Sequence, residues 1–342
     1  MLQMNRRSLL AATASFAAMG RAAAQGAPTD LKISLNAPYD GSNAAFFLAE
    51  QRGYYEAAGL RCQFDTSGGA VESTGRIGTG VYDFAFTDIN VLTDFAAKSP
   101  DKAPRDVFMI YYRSPLSVIT FAKSGIAKPA DLVGKTLGAS ITDGAYRLFP
   151  AYCQATGLDP NAVKWKFVDL RLRESLLLRG EVDAILGFDS TSYFNLVKAG
   201  AKPANIKFLY YSDAGLPLYS NSLAASKKVI DTKPDVVGRF VAASAQGWID
   251  SINDPAAAIA ALAKKDSLTD PKLETDKLKW IIEHQIMTPE SRANGLGAVD
   301  EARLAKSIAI VQQAFELPVA PPADQIFDAH FLPPADKRKL PA

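Results

Sequence analysis

The sequence predicts an α/β protein. Three observations point there: apolar strands alternate with helices from Leu31 onward, glycine-closed turns separate them, and the C-terminal third is almost wholly helical. The first strand, Leu31-Lys32-Ile33-Ser34-Leu35, runs into a polar loop at residues 36–43. A helix from about Ala44 to Ala58 is expected to stop at Gly59, which suits a left-handed helix end. A strand, the turn Ser67-Gly68-Gly69, a short helix, Gly80 and the strand Tyr82 to Phe86 complete a first unit. Strand, loop and helix in that order favour a parallel sheet with ligand loops at the carboxyl ends of its strands.

A strand around Val107 to Tyr112 leads through Arg113-Ser114-Pro115 into Ser117 to Ala122. A second unit begins at Ala130, with a strand ending at 139–144 and a helix near Ala145. A strand around Trp165 to Val168, a helix through Leu176 to Gly180 and the strand Val182 to Phe188 follow. Residues 208–211 and 218–222 read as a return crossing. Helices are then expected at 235–252, 255–264, 273–285 and 300–315, before a Pro-rich tail from Leu317 that reads as an irregular surface strap.

The chain's first residues read as an export signal. Asn5-Arg6-Arg7-Ser8-Leu9-Leu10 opens it, an apolar stretch runs to Gly20, and Ala22-Ala23-Ala24 supplies the small-residue cleavage site. The arginine pair resembles the twin-arginine class, and an ordinary Sec signal is the other reading. Residues 1–24 carry three arginines and no acid, so their removal takes the formal charge from +2 to −1. A near-neutral chain lacks the basic footprint of a nucleic-acid binder, so no nucleic-acid partner is expected. The apolar stretch is too short to span a bilayer comfortably, and no transmembrane segment is expected in the mature chain. Cys62 and Cys153 are the only cysteines and read as separate buried thiols rather than a disulfide.

The segment Phe46 to Asp88, with "GYYEAAGL" after an apolar helix and a "G-x-x-D-F" strand some twenty residues on, resembles the solute-binding proteins of ABC importers. The resemblance lies with the branch that includes nitrate, sulfonate and taurine binders and thiamine-pyrimidine precursor binders. It extends through "DLVGK-T-LG" at 131–138, "GEVDAILGFDSTSY" at 180–193 and the helical run from Lys233, and it covers residues 30 to 320. It implies a two-lobed periplasmic-binding-protein fold of type II, each lobe a mixed sheet flanked by helices, with two crossing strands as hinge. Lobe 1 is then 30–113 plus 213–320, lobe 2 is 114–212, and 321–342 is the tail. It also implies a periplasmic monomer that hands a small-molecule solute to a permease and its ATPase subunit.

Enzymatic apparatus is not legible. The two histidines, His284 and His330, belong to no metal-binding spacing, and neither a nucleophile elbow nor a phosphate loop occurs, so no cofactor or metal and no catalytic residue is expected. Binding residues are sought where the loops converge. Tyr39 and Asn43 follow the first strand, with Asp40 a weaker candidate, and Ser67 and Gly68 offer backbone N–H groups to an anion. Asp88 is either a ligand acceptor or a helix cap. Thr142 and Tyr146 come from the second unit, where Asp143 in the same turn reads as a cap before a contact, and Phe188, Asp189 and Tyr193 come from the closing loop. Arg113 is the cation expected at the cleft, to clamp an anion or brace the hinge. Tyr219 and Asn221 lie on the return crossing. Four aspartates and several aromatics against one arginine favour a planar nitrogen heterocycle of the aminopyrimidine type. The alternatives are a sulfonate, nitrate or aromatic carboxylate held by Arg113 and the glycine turn, or an exported sensor or enzyme on the same scaffold.

Overall fold

Two five-stranded sheets, each flanked by helices, form the computed structural model of the protein, which describes residues 27–141 and 143–341. The expected export signal lies outside the described residues. The strands are β1 (Thr29–Leu35), β2 (Leu60–Thr66), β3 (Phe84–Asp88), β4 (Arg105–Met109), β5 (Leu116–Phe121), β6 (Thr136–Ala139), β7 (Lys164–Phe167), β8 (Ala184–Phe188), β9 (Ile206–Tyr210) and β10 (Asn221–Ala225). One sheet runs β2-β1-β3-β10-β4 and the other β7-β6-β8-β5-β9.

The two sheets share one topology. β1 pairs in parallel with β2 and β3, and β6 in parallel with β7 and β8. The fourth strand of each sheet, β10 or β5, is antiparallel to both neighbours, and it is the strand the chain enters directly after crossing between sheets. The two Gly-x-x-Asp strings repeat as well. Gly80 and Gly180 both take left-handed φ, 71° and 69°, and end the helices before β3 and β8. Asp83 then accepts from the Lys32 N–H at 2.9 Å while its own N–H donates to the Lys32 carbonyl at 2.9 Å. Asp183 does the same with Thr136, at 2.7 and 2.8 Å. Each aspartate thus satisfies a backbone donor of the neighbouring parallel strand just ahead of the ladder.

Helices cover the first sheet because their faces are almost wholly apolar. In Ala44–Gln51 six consecutive residues, Ala44 to Ala49, are buried. The single helix expected over 44–58 is broken at Gly53, whose φ of 72° ends Ala44–Gln51 and starts the short helix Tyr54–Ala57. Residues 208–210, expected in the return crossing, belong to edge strand β9 (Ile206–Tyr210) instead. The helix expected at 273–285 is α-helical over Pro271–Ile281 and closes in a π turn, Ile282–Ile286. The tail is anchored to the first core by buried Ile326, Phe327 and Leu340. Helix Glu301–Ala314 sits on both cores, through Leu304 and Ile308 on one side and Val311 on the other. Both cysteines are free: Cys62 is half-buried on β2 and Cys153 buried in helix Phe149–Thr156. Burial raises both thiols, that of Cys153 to about 12, so both stay neutral near pH 7.

Candidate functional site

The carboxyl ends of the parallel strands of both sheets meet around a cavity of about 170 Å³. Its wall repeats the internal symmetry of the fold. The turns after β1, β2 and β3 contribute Asn36, Gly68 with Gly69, and Asp88 with Val91. The turns after β6, β7 and β8 contribute Asp143 with Gly144, Leu170 with Arg173, and Phe188 with Thr191. Parallel strands that each feed a helix leave their turns, and the polar caps of those helices, on this one rim.

The capping chemistry explains the acids in the wall. Asp88 caps helix Ile89–Lys98, accepting from the N–H groups of Asn90 and Val91 at 2.8 and 3.4 Å and from the Ser220 hydroxyl at 2.7 Å. Asp143 caps helix Gly144–Arg147 through the Ala145 N–H at 3.0 Å. Burial raises the pKa of both carboxyls; for Asp143 the Arg173 charge opposes that rise. Arg173, 5% exposed, pairs with Asp143 and donates to the carbonyls of Leu186 at 2.6 Å and Leu170 at 3.2 Å. Across the cavity the Gly68 N–H donates to the carboxylate of Glu72 at 2.7 Å, and Glu72 pairs with Arg76 at 2.6 Å. That backbone donor holds the Glu72 carboxyl below its ordinary pKa.

Two sets of side-chain contacts close the cleft around the cavity, and the wall is narrow where a Cβ placed on Gly69, whose φ is 130°, would lie 4.0 Å from Leu170. Arg147 pairs with Asp94 at 3.0 Å. Asp189 is fully buried and accepts from the Trp280 indole N–H at 3.0 Å, the Gln285 amide at 3.0 Å and the Tyr210 hydroxyl at 3.1 Å.

A family model described as NMT1/THI5 like matches residues 41–258. The chain belongs to the NMT1/THI5-like family. Among relatives of this NMT1/THI5-like protein, the riboflavin-binding protein RibY of Chloroflexus aurantiacus is 26% identical over 219 residues, which are 62% of this chain and 59% of that one. The alkanesulfonate-binding protein SsuA of Xanthomonas axonopodis pv. citri, bound to MOPS, superposes with a TM-score of 0.65 at 15% identity, over 87% of this chain and 96% of that one. The desulfurization enzyme DSZB superposes with a TM-score of 0.58 at 15% identity, over 88% of this chain and 97% of that one. The two-lobed architecture of periplasmic binding proteins is therefore the fold of this NMT1/THI5-like chain.

Of the residues sought in the sequence, Gly68, Asp88 and Phe188 line the cavity, together with Asp143. Asn221 stands directly behind it, accepting from the Asn36 amide at 3.2 Å, and Ser67 braces the glycine turn through the Gly69 carbonyl at 3.1 Å. The others are drawn elsewhere. The Tyr39 hydroxyl donates to the Phe64 carbonyl at 2.7 Å and its ring packs edge-on against Phe47. Asn43, fully buried, ties its loop to the Pro38 carbonyl at 2.8 Å, and Asp40 pairs with the buried Lys277 at 2.9 Å. Tyr146 packs edge-on against Trp165 and Phe167 at a separate surface pocket. Tyr193 stacks on Trp280 at 4.8 Å, so it and Asp189 belong to the seam between lobes rather than to the cavity wall. Tyr219 is buried between Glu290, the Asp300 N–H and the guanidinium of Arg303. Arg113, expected at the cleft, is held by Ser212 at 3.0 Å and Asp213 at 2.8 Å; the cation in the wall is Arg173. Thr142 lies outside the described residues.

Asn36, Leu170 and Arg173 are the wall residues of most consequence among those that sequence reasoning missed, which also include Val71, Val91 and Thr191. Asn36 opens the polar loop that follows the first strand. Arg173 was hidden because the helix expected from Leu176 starts three residues earlier, at Arg173 itself.

Proposed function

We propose that this chain is the exported, periplasmic solute-binding component of an ABC importer. It captures a small planar nitrogen heterocycle of the aminopyrimidine class by lobe closure and presents it to a membrane permease driven by a partner ATPase. Family membership and the fold support the binding role. The observation that carries the solute class is the balance of the cavity wall: two carboxylates, Asp88 and Asp143, with Phe188 beside them, face a single guanidinium that is already committed to protein acceptors. Such a wall accepts hydrogen bonds and stacks a ring, which matches an amino-substituted heterocycle.

Volume supports a solute of one ring. A dry cavity of about 150 Å³ is enough for benzene, and this one measures about 170 Å³. A tricyclic flavin, the kind of solute named for the Chloroflexus relative, would require the lobes to stand further apart. A sulfonate or carboxylate is the second reading, favoured by the place of Arg173 in the wall. Against it, the Gly68 donor expected to hold an oxyanion is already taken by Glu72. Binding rather than turnover fits the chemistry in place, since both wall carboxylates are held in place as helix caps and both neutral thiols lie outside the wall. No helix among the described residues is long and apolar enough to cross a membrane.

Thermal unfolding of the purified mature chain against aminopyrimidines, riboflavin, methanesulfonate, nitrate and aromatic acids tests the reading. A solute at about a hundred times its dissociation constant adds roughly 2.7 kcal/mol of stability, a readable rise in midpoint. We expect that rise with the aminopyrimidines. A rise with methanesulfonate alone would transfer the site to the anion reading, and a rise with riboflavin alone would require a wider cleft than the one described.

A further inference from the structure

We infer that Arg173 is a positioning residue: it holds Asp143 as an ionised acceptor against the cavity, so that the site selects solutes presenting an amino or amidinium edge over isosteres presenting an acceptor there. The inference rests on the solute-binding role proposed above and assigns its selectivity to a named pair. Arg173 is unsuited to the more obvious task of clamping a solute anion. Nη1 donates to Asp143 and to the Leu186 carbonyl, Nε donates to the Leu170 carbonyl, and Nη2 faces Glu174 at 3.8 Å. The backbone is shaped to admit the guanidinium, because a Cβ on Gly187 would fall 2.7 Å from Nη1.

Asp143 is left with acceptor capacity facing the cavity. A carboxylate offers about four lone-pair positions; among the described residues the Ala145 N–H takes one and Arg173 another. The charges around it decide whether it stays ionised. Glu174, on the same helix as Arg173, pushes the Asp143 proton on, and Arg173 pushes it off. Tyr211, from the crossing, is coupled to Asp143 through space, and its hydroxyl donates to the Ala145 carbonyl at 2.7 Å. Asp88 faces the same cavity from the other lobe. With burial and Glu174 favouring the neutral form, Arg173 is the one cation in the set that favours the charged form.

The test compares wild type with Arg173→Lys, Arg173→Gln, Gly187→Ala and Asp143→Asn, each first checked for a native circular-dichroism spectrum. Affinities for 4-aminopyrimidine and its 4-oxo counterpart are measured by calorimetric titration between pH 4.5 and 8, and the Asp143 carboxyl carbon is titrated by NMR without ligand. Wild type is expected to prefer the amino probe by about tenfold, the scale of one charge-assisted hydrogen bond. Amino-probe binding requires ionised Asp143, so it is lost as pH falls through the Asp143 pKa. In Arg173→Gln that pKa rises and the loss moves to higher pH, with Gly187→Ala shifted the same way and Arg173→Lys close to wild type. The same probe in every protein removes its own titration from the comparison, and Asp143→Asn is expected to erase the preference.

An unchanged NMR titration in Arg173→Gln would overturn the inference. So would a loss of methanesulfonate binding in that variant, which would make Arg173 an anion clamp. Should neither pyrimidine bind while the titration shifts as expected, the aminopyrimidine reading fails and the Arg173–Asp143 coupling stands.

Discussion

Asp106 is fully buried on β4, where one carboxyl oxygen accepts from the Ser222 hydroxyl at 2.6 Å and the other has no hydrogen-bond partner among the described residues. Burial pushes its pKa well above the carboxylate range, with Asp88 adding to the rise. An acid held neutral in the fold contributes fully below its unfolded pKa of about 4, and that contribution is lost as pH rises toward the folded value, at up to about 1.4 kcal/mol per pH unit. Urea unfolding at pH 4.5 and 7.5 should therefore find Asp106→Asn gaining on wild type as pH rises; a gap of equal size at both values would mean the carboxyl is not held neutral. The site's residues divide by the same logic of local against distant partners. Asp88 and Phe188 were legible because each ends a strand that its own neighbours specify. Asp189, Tyr193 and Arg113 lie off the cavity wall because what claims them is remote in sequence: Trp280 is 91 positions from Asp189, and Asp213 is 100 from Arg113. No local pattern announces such a pairing.

Element order was readable from apolar runs and glycines, whereas element ends were set by contacts. Gly53 looks like any helix residue until its left-handed φ is seen, and residues 208–210 look like a crossing until β5 is found beside them. The repeated topology was hidden for a related reason: its signature is the pair of aspartates that brace parallel strands, Asp83 and Asp183, and not any similarity of apolar residues. Helix Pro234–Asn253 offers a test of how far contacts override propensity, because it carries two interior glycines in opposite surroundings. A Cβ at Gly238 would meet nothing within 4 Å, while at Gly247 it would meet the Ala45 carbonyl and the Ala49 Cβ, each at 2.6 Å. Gly238→Ala should stabilise the protein by about 0.5–1 kcal/mol through helix propensity. Gly247→Ala should destabilise it by about 1–3 kcal/mol, because helix Ala44–Gln51 would have to move away. Denaturant midpoints read both, and a Gly247→Ala protein as stable as Gly238→Ala would mean the two helices are not in close backbone contact.

At the scale of the whole molecule the lobes are joined by more than their two crossings. Helix Pro271–Ile281 and its π turn grip both halves. On one side Lys277, 5% exposed, pairs with Asp40 in the loop after β1, and Glu274 accepts from the Gly41 N–H at 2.7 Å. On the other, Trp280 donates to Asp189, stacks on Tyr193 and is backed by His284 at 4.2 Å. The Gln285 carbonyl accepts from the N–H groups of Tyr112 and Arg113 on the first crossing, so the same segment also fixes the hinge itself. Under the lobe closure proposed above, this arrangement makes Trp280 a control on closure rather than on ligand contact. Trp280→Leu leaves the cavity wall intact but removes one donor from a buried carboxylate and the face on which Tyr193 stacks, so the closed form loses stability relative to the open one. Apparent affinity then falls in proportion to the closed population, since the dissociation constant scales inversely with the competent fraction. Small-angle scattering should show a larger radius of gyration for unliganded Trp280→Leu than for wild type, converging on the wild-type value at saturating solute, with solute affinity reduced over the same comparison. A variant with the wild-type radius and affinity would mean that the crossings alone set closure, and that the buried cluster around Asp189 is only packing.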